Sequence, residues 1–399
     1  MKPLSHFLML DLTHMLAGPY GTMLLSDLGM RTIKVEPPGR GEGTRKLLCA
    51  SAEYARAGMG AYFMTLNRNK ESVCIGLKET EGRDLFYELV RHADVVFDNF
   101  SPGVTTRLGI DHDSLARINP RIVTCAVTGF GQTGPNPNRP AFDMVAQGIG
   151  GGMSITGMPG GEPTRAGIPI GDLGGGVFGA IGTLAALHAR EKTGRGRHVD
   201  ISMLDCQISL LNYMATMHFL SGKNPGPEGN GHFVHVPYNT FRTKTRHIII
   251  AVIYDSFWPK LLEVLDNPAL DREDFLEQPG RLAERAFIEA EVEKVLVSRD
   301  AEYWLEALSS KRIPSAPVND FGHALSDPQV LARNMVVDVP MPDGETVSMP
   351  GNPVKLGAGS DEEFAPPPKR GEHSDAVFTT LLGMGRERVA SLRARGVIE

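Results

Sequence analysis

An α/β fold class is predicted, on three observations. The chain opens with a strand, a small-residue helix and a second strand, the β-α-β start of a doubly wound sheet. Apolar runs of strand length then alternate with segments of helical spacing as far as Phe219. The composition finally shifts at Ser221–Gly231, a turn-rich linker, and beyond it the pattern reads as a small α+β domain.

Taken in order, Phe7–Leu12 is the first strand, and a small-residue helix from about Tyr20 to Leu28 leads to the strand Arg31–Glu36. The first turn carries only Ala17-Gly-Pro19. It lacks the G-x-G-x-x-G of a dinucleotide fold, so no nicotinamide or flavin role is expected. Pro37–Thr44 is a turn-rich loop, and residues 45–60, without periodicity, are expected to cover a ligand. Asn67-Arg-Asn-Lys70 lies between two strand-like runs, Tyr62–Leu66 and Ser72–Leu77. It reads either as a solvated hairpin turn or as a loop whose cations suit a phosphate or an adenine edge.

Glu79–His92 has helical spacing, and Asp94–Asp98 is a strand followed by the turn Asn99-Phe-Ser-Pro-Gly103. Loops after strand ends are where open α/β sheets bind ligands. Arg121–Val127 is a further strand with an irregular glycine loop, Thr128–Pro135, behind it. Arg139-Pro-Ala-Phe-Asp143 precedes a Gly-rich helix to Gly152, and the helix of Asp172 follows. Glu191–Arg197 is a basic helix stop, His198–Ser202 a short strand, and Met203–Phe219 one long apolar helix. Past the linker, Tyr238–Thr243 and Ile248–Ile253 are strand-like, and Trp258–Leu265 and Ala283–Val297 are amphipathic. The tail from Asp327 alternates turns with short strands and ends in helices near Ser374–Leu382 and Glu387–Arg395.

The 399 residues suffice for two domains, and 41% hydrophobic with 22% charged residues is a globular composition. A net charge of −6 argues against a nucleic-acid partner. Cys49, Cys74, Cys125 and Cys206 form no metal-ligand spacing, so four reduced thiols and a cytoplasmic location are expected. No uninterrupted apolar run reaches transmembrane length, so no membrane partner is expected. There is no P-loop, no G-x-S-x-G, no H-E-x-x-H and no close histidine cluster, so no metal is expected.

With those machines absent, one carboxylate gains weight. Gly167-Ile-Pro-Ile-Gly-Asp172 ends in Asp172, and Gly174-Gly-Gly176 opens a small-residue helix behind it. Asp172 is expected at the N-cap or in the first turn, facing free backbone N–H groups. The glycines are expected to give another molecule access and to offer N–H donors for a developing oxyanion. An ordinary N-cap aspartate on a tightly packed helix has the same sequence.

An ordered set of short motifs then resembles the class III coenzyme A-transferase family (the CaiB/BaiF family, with formyl-CoA transferase-like enzymes and the related α-methylacyl-CoA racemases). The pieces are Asp11-Leu-Thr with Leu16-Ala-Gly-Pro19, Ile33-Lys-Val-Glu36-Pro, Leu66-Asn-Arg-Asn-Lys70, Asn99-Phe-Ser-Pro-Gly103, Gly129–Pro135, Gly171-Asp172 with Lys192-Thr-Gly-Arg-Gly196, Ile313–Val318, Asp327-Pro-Gln329 and Gly371-Glu-His373. They run in family order across nearly the whole chain.

The resemblance implies a Rossmann-like large domain built from both chain ends (residues 1–220 and 326–399), with a small domain over 221–325. It also implies ring-like subunits interlinked as a homodimer. Asp172 would be the nucleophile, passing CoA between carboxylic acids through mixed anhydrides and an aspartyl-CoA thioester. Coenzyme A contacts carry over to Leu16, Ala17, Asn67, Arg68, Asn69, Lys70, Asn99, Phe100, Ser101, Arg107, Arg139, Phe142 and Asp143. The formyl-CoA:oxalate members carry glutamine at Leu16, arginine at Pro37 and four glycines in the small domain. None is present, which sets formyl-CoA and oxalate aside. The racemase branch has a His-Asp pair where this chain has Phe142-Asp143, so one base is missing and transfer is favoured over 2-methylacyl-CoA racemisation. A non-catalytic CoA-binding protein is the third reading. A succinyl-CoA donor and a small dicarboxylate-like acceptor are expected, with Arg165 and Arg242 as spare cations.

Overall fold

The computed structural model describes residues 2–356 and 362–399. β1 (Leu8–Asp11), α1 (Ala17–Asp27) and β2 (Arg31–Glu36) form the opening unit. A short hairpin, β3 (Ala55–Arg56) and β4 (Met59–Gly60), leads to α2 (Ala61–Asn67). Then come β5 (Lys70–Cys74), α3 (Thr80–Val90), β6 (Val95–Asp98), α4 (Val104–Leu108), α5 (His112–Ile118), β7 (Val123–Thr128) and α6 (Asp143–Ile149). α7 (Ile170–Thr193), β8 (His198–Ser202), α8 (Met203–Leu211) and α9 (Tyr213–Ser221) complete this part of the chain. Six strands lie side by side in the order β5-β2-β1-β6-β7-β8, all parallel.

Strands β1, β2, β5, β6 and β7 are buried on both faces, whereas the edge strand β8 is partly exposed, and the buried side chains alternate between two cores. Met9, Val95, Phe97, Val123, Cys125 and Val127 point to the side covered by α1 and α7. Leu8, Leu10, Ile33, Val35, Val73 and Val96 point to the other side. There Leu85, Phe86 and Leu89 of α3 meet Val377, Phe378, Val389 and Leu392 from the C-terminal helices Ser374–Thr380 and Arg386–Ala394. One face of the N-terminal sheet is therefore finished by the chain's last residues.

The chain divides into two compact units. The first is Met1–Gly152, Arg165–Lys223 and Leu331–Glu399; the second is Met153–Thr164 and Asn224–Val330. The second unit has a three-stranded antiparallel sheet, Ser315–Pro317, His247–Ala251 and Tyr238–Arg242. Helices Trp258–Leu265, Arg285–Leu296 and Ala301–Ser310 pack with it around Phe241, Ile248, Ile250 and Trp258.

Two expected elements differ. Tyr62–Leu66 is part of α2, not a strand: Phe63, Leu66 and Asn67 are buried at i, i+3 and i+4, a helical face that five residues are too few to reveal. The expected single helix over 203–219 breaks at Asn212, whose φ of 49° ends α8 and starts α9. Asparagine tolerates a positive φ better than its apolar neighbours do.

α7 also corrects the membrane-length expectation. By length and composition it could cross a bilayer, with a mean hydropathy of 1.5, but it packs as a core helix on α1, α8, β7 and β8. Its glycines serve that packing. A Cβ on Gly176 would lie 2.6 Å from the Ala17 carbonyl oxygen, and one on Gly21 would lie 2.6 Å from that of Gly176. The backbones of α1 and α7 therefore touch. A Cβ on Gly174 would meet nothing closer than Leu210 at 3.4 Å. Gly176→Ala is accordingly expected to destabilise the protein by about 1–3 kcal/mol. Gly174→Ala is expected to be neutral or stabilising by up to about 1 kcal/mol through helix propensity. Denaturant midpoints of the two variants check the contrast.

Candidate active site

β1 and β6 are neighbours, but from them the chain winds outward in opposite directions, to β2 and β5 on one side and to β7 and β8 on the other. A crevice opens at the carboxyl ends of strands where the order reverses in this way. The loop after β1 and the loop after β6 flank it, and one side chain ties them together. Asn99 Oδ1 accepts from the His14 N–H at 2.9 Å, and its Nδ2 donates to the His14 carbonyl at 2.7 Å. The cleft has a volume of about 480 Å³. It is lined by His14–Ala17, Tyr62, Asn99–Pro102, Val127–Gly129, Pro137–Met144, Arg165, Asp172 and Met203.

Asp172 sits in the first turn of α7, half-buried at this cleft. The N–H groups expected to face it are taken. Asp143 Oδ1 accepts from Gly171 N at 2.8 Å and from Asp172 N at 3.3 Å. The Leu173 N–H bonds to Pro169 O, and from Gly174 onward the N–H groups lie within the helical ladder. Gly174–Gly176 therefore do not supply oxyanion donors, and it is Gly175 and Gly176 that set helix packing. Burial, and after it the Asp143 charge, push the Asp172 carboxyl up to about 6. It remains mostly ionised at neutral pH and is more basic than a free aspartate, which favours nucleophilic attack. Tyr62 shares the cleft; burial, then Asp172, push its phenol up to about 12, so it stays an O–H donor. His14 titrates below its usual value because of burial and Lys34, so it is neutral at pH 7.

Of the residues for which the resemblance implies coenzyme A contacts, Leu16, Ala17, Asn99, Phe100, Ser101, Arg139, Phe142 and Asp143 line the cleft. Arg107 is exposed on α4, outside the lining. Asn67, Arg68, Asn69 and Lys70 lie outside the lining and have partners within the protein. Arg68 is fully buried and forks onto Asp27 at 3.2 and 2.8 Å, with a further bond to Pro350 O. Asn69 bonds Asp27 and the backbone of Ala365. Lys70, 3% exposed, donates from Nζ to Asp11 Oδ2 at 2.8 Å, Thr22 Oγ1 at 2.9 Å and Asn67 Oδ1 at 3.2 Å. Asn67, Arg68 and Lys70 are buried, and their polar groups are hydrogen-bonded inside the protein. Arg242 is likewise no spare cation, because it pairs with Glu293 in the second unit.

Sequence reasoning missed His14, Tyr62 and Gln147. His14 follows the end of a central strand, a position that could have flagged it. Tyr62 was hidden by the strand reading of α2. Gln147 follows Asp143 at i+4, a spacing visible once α6 is assumed.

The profile described as CoA-transferase family III matches residues 4–374. An acetyl-CoA:oxalate CoA-transferase of Acetobacter aceti is 39% identical over 378 residues, 94% of this chain and 95% of that protein. A succinyl-CoA:mesaconate CoA-transferase of Haloarcula hispanica is 35% identical, covering 98% of this chain and 100% of its own. The crystal structure of a CaiB/BaiF family protein from Brucella suis superposes with a TM-score of 0.84 at 34% identity, over 95% of this chain and 99% of that one. A family match of this extent, on a parallel α/β sheet with its cleft at the switch point, leaves one reading of the ancestry: the chain belongs to CoA-transferase family III.

Proposed function

We propose that the protein moves coenzyme A from a small acyl-CoA to a dicarboxylate through Asp172. The carrying observation is a half-buried carboxylate, pushed up to about 6, on the wall of the switch-point cleft. In this reading an Asp172 oxygen attacks the thioester carbonyl, the C–S bond breaks, and a mixed anhydride and the CoA thiolate form. The thiolate then attacks the Asp172 acyl carbon, breaking the anhydride C–O bond and releasing the donor acid. The acceptor carboxylate repeats both steps in reverse, regenerating Asp172 and the new acyl-CoA. Each activated carbonyl is exchanged for one of similar energy, so no net driving reagent is consumed. The Tyr62 hydroxyl is the cleft's donor toward the tetrahedral oxyanion, and Tyr62→Phe is expected to lower kcat about tenfold or more.

Two cations support a dicarboxylate acceptor. Among the described residues Arg165 donates to the Ala166 and Gly167 carbonyls, and Arg139 stacks on Phe130. Both line the cleft, and neither has an acidic partner among the described residues. A guanidinium suits a second carboxylate well. Two relatives are named for dicarboxylates, oxalate and mesaconate. The first of these names also removes the ground for setting oxalate aside, so oxalate belongs among the acceptors to be tried.

A homodimer is part of the same proposal. Ile181, Ile208, Leu210, Phe219 and Leu220 on α7, α8 and α9 are 47–84% exposed, an apolar surface that a second copy would cover. Four unpaired cysteines suit a cytoplasmic setting. The test is to incubate the protein with succinyl-CoA and a panel including oxalate, mesaconate and acetate, and to follow new acyl-CoA. Exchange with a dicarboxylate supports the reading. Loss of an α-proton without acyl exchange, or no exchange with any acid, contradicts it.

A further inference from the structure

The reaction uses Asp172 but does not explain what holds its carboxylate in place. α7 has no cap of its own, because its N-cap residue is Pro169 and no side chain of that residue caps it. The cap comes from α6. Asp143 Oδ1 takes the N–H groups of Gly171 and Asp172, and Oδ2 accepts from Gln147 Nε2 at 2.7 Å. Gln147, 2% exposed and one turn along α6, accepts through Oε1 from the Ala166 N–H at 2.9 Å. The same two side chains thus pin both the approach to α7 and its first turn. Gly171 makes room: a Cβ there would lie 3.0 Å from both the Asp143 carbonyl oxygen and Oδ1.

From this geometry we propose that Asp143 is the positioning residue of the nucleophile, capping α7 from a neighbouring helix so that the Asp172 backbone is fixed and the positive end of α7 is neutralised. An uncapped helix start stabilises a nearby carboxylate by about 0.3–1 kcal/mol and so makes it a poorer nucleophile. A second carboxylate seated on those N–H groups cancels that effect and adds repulsion. The upward push that Asp143 exerts on Asp172, second only to burial, agrees in direction. The other ionisable groups lining the cleft are His14, Tyr62, Arg139 and Arg165. This role replaces a direct coenzyme A contact for Asp143, whose two oxygens already accept three hydrogen bonds. Its catalytic consequence rests on the CoA-transfer reading; its effect on Asp172 does not.

Asp143→Asn keeps an oxygen for the two N–H groups and removes the charge. It is expected to move the acid limb of kcat/KM for succinyl-CoA exchange down by about half a pH unit or more, with KM unchanged within about twofold. Asp143→Ala removes the cap as well and should lower kcat about tenfold or more. If the alanine variant does not fold, the asparagine variant decides. A rise in KM with kcat unchanged would make Asp143 a coenzyme A contact and overturn the proposal, as would an acid limb that stays in place. The Asp172 carboxyl can also be titrated directly by carbon NMR, assigned with Asp172→Asn. A lower midpoint in Asp143→Asn upholds the positioning role even if wild-type protein exchanges no acyl group, and an unmoved midpoint removes it.

Discussion

Replacing Asp172 by asparagine is expected to abolish CoA exchange and, at the same time, to make the protein more stable at neutral pH. The loss of activity should be on the order of 10⁴-fold or more, because the amide cannot form the anhydride or carry the thioester. The gain in stability follows from the pKa. Folding raises this carboxyl from 3.8 to about 6, burial first and Asp143 second. Between those values the folded chain holds a proton that the unfolded chain has released. Folding is therefore favoured in acid and carries a penalty at every pH above about 6. The shift corresponds to roughly 3 kcal/mol, which the partial exposure of the side chain reduces to about 1–2 kcal/mol. Thermal melts at pH 4 and pH 8 check the sign: the variant's advantage should be small at the lower pH and full at the higher one. An equal advantage at both would show that charge burial is not its source.

The second large effect is structural. Lys70→Met keeps the aliphatic stem but leaves Asp11, buried at the end of β1, without its main counter-charge. Burial alone would raise Asp11, yet Lys70, then Lys34, hold it well below the ordinary carboxylate range. Burial lowers Lys70 to about 8, so the pair is ionised at neutral pH. Breaking one partner of a buried pair costs about 3–5 kcal/mol. The denaturant midpoint of Lys70→Met should fall accordingly. Asp11→Asn in the same chain should restore part of it, because the uncompensated charge is gone. KM for acyl-CoA, measured on folded protein, should not change. A several-fold rise in KM with little loss of stability would return Lys70 to the cofactor.

Particular residues show why some of this was legible in the sequence. Strands such as Arg31–Glu36 and His198–Ser202 keep their expected bounds, since period and punctuation are local properties. Asp172 stood out because carboxylate, glycines and helix start lie together in the chain. Asp143 and Gln147 could not be linked to it in that way, because the hydrogen bond that joins Asp143 to Gly171 spans 28 positions and exists only after α6 packs beside α7. The internal partners of the motif Asn67–Lys70 are hidden for a related reason. Its cations look available in one dimension, whereas Asp11 and Asp27, their partners, arrive from elements 59 and 41 positions earlier. The glycines of α7 likewise read as room for a substrate until α1 fills that room.

The central claim is that the Asp172 side chain itself carries coenzyme A. The most direct measurement is to mix the protein with succinyl-CoA, quench with hydroxylamine, and locate the modified residue by peptide mass spectrometry. The expected result is a hydroxamate on Asp172, formed with succinyl-CoA alone, absent when succinyl-CoA is omitted and absent in Asp172→Asn. Modification of a different side chain, or acyl exchange that persists in Asp172→Asn, would contradict it.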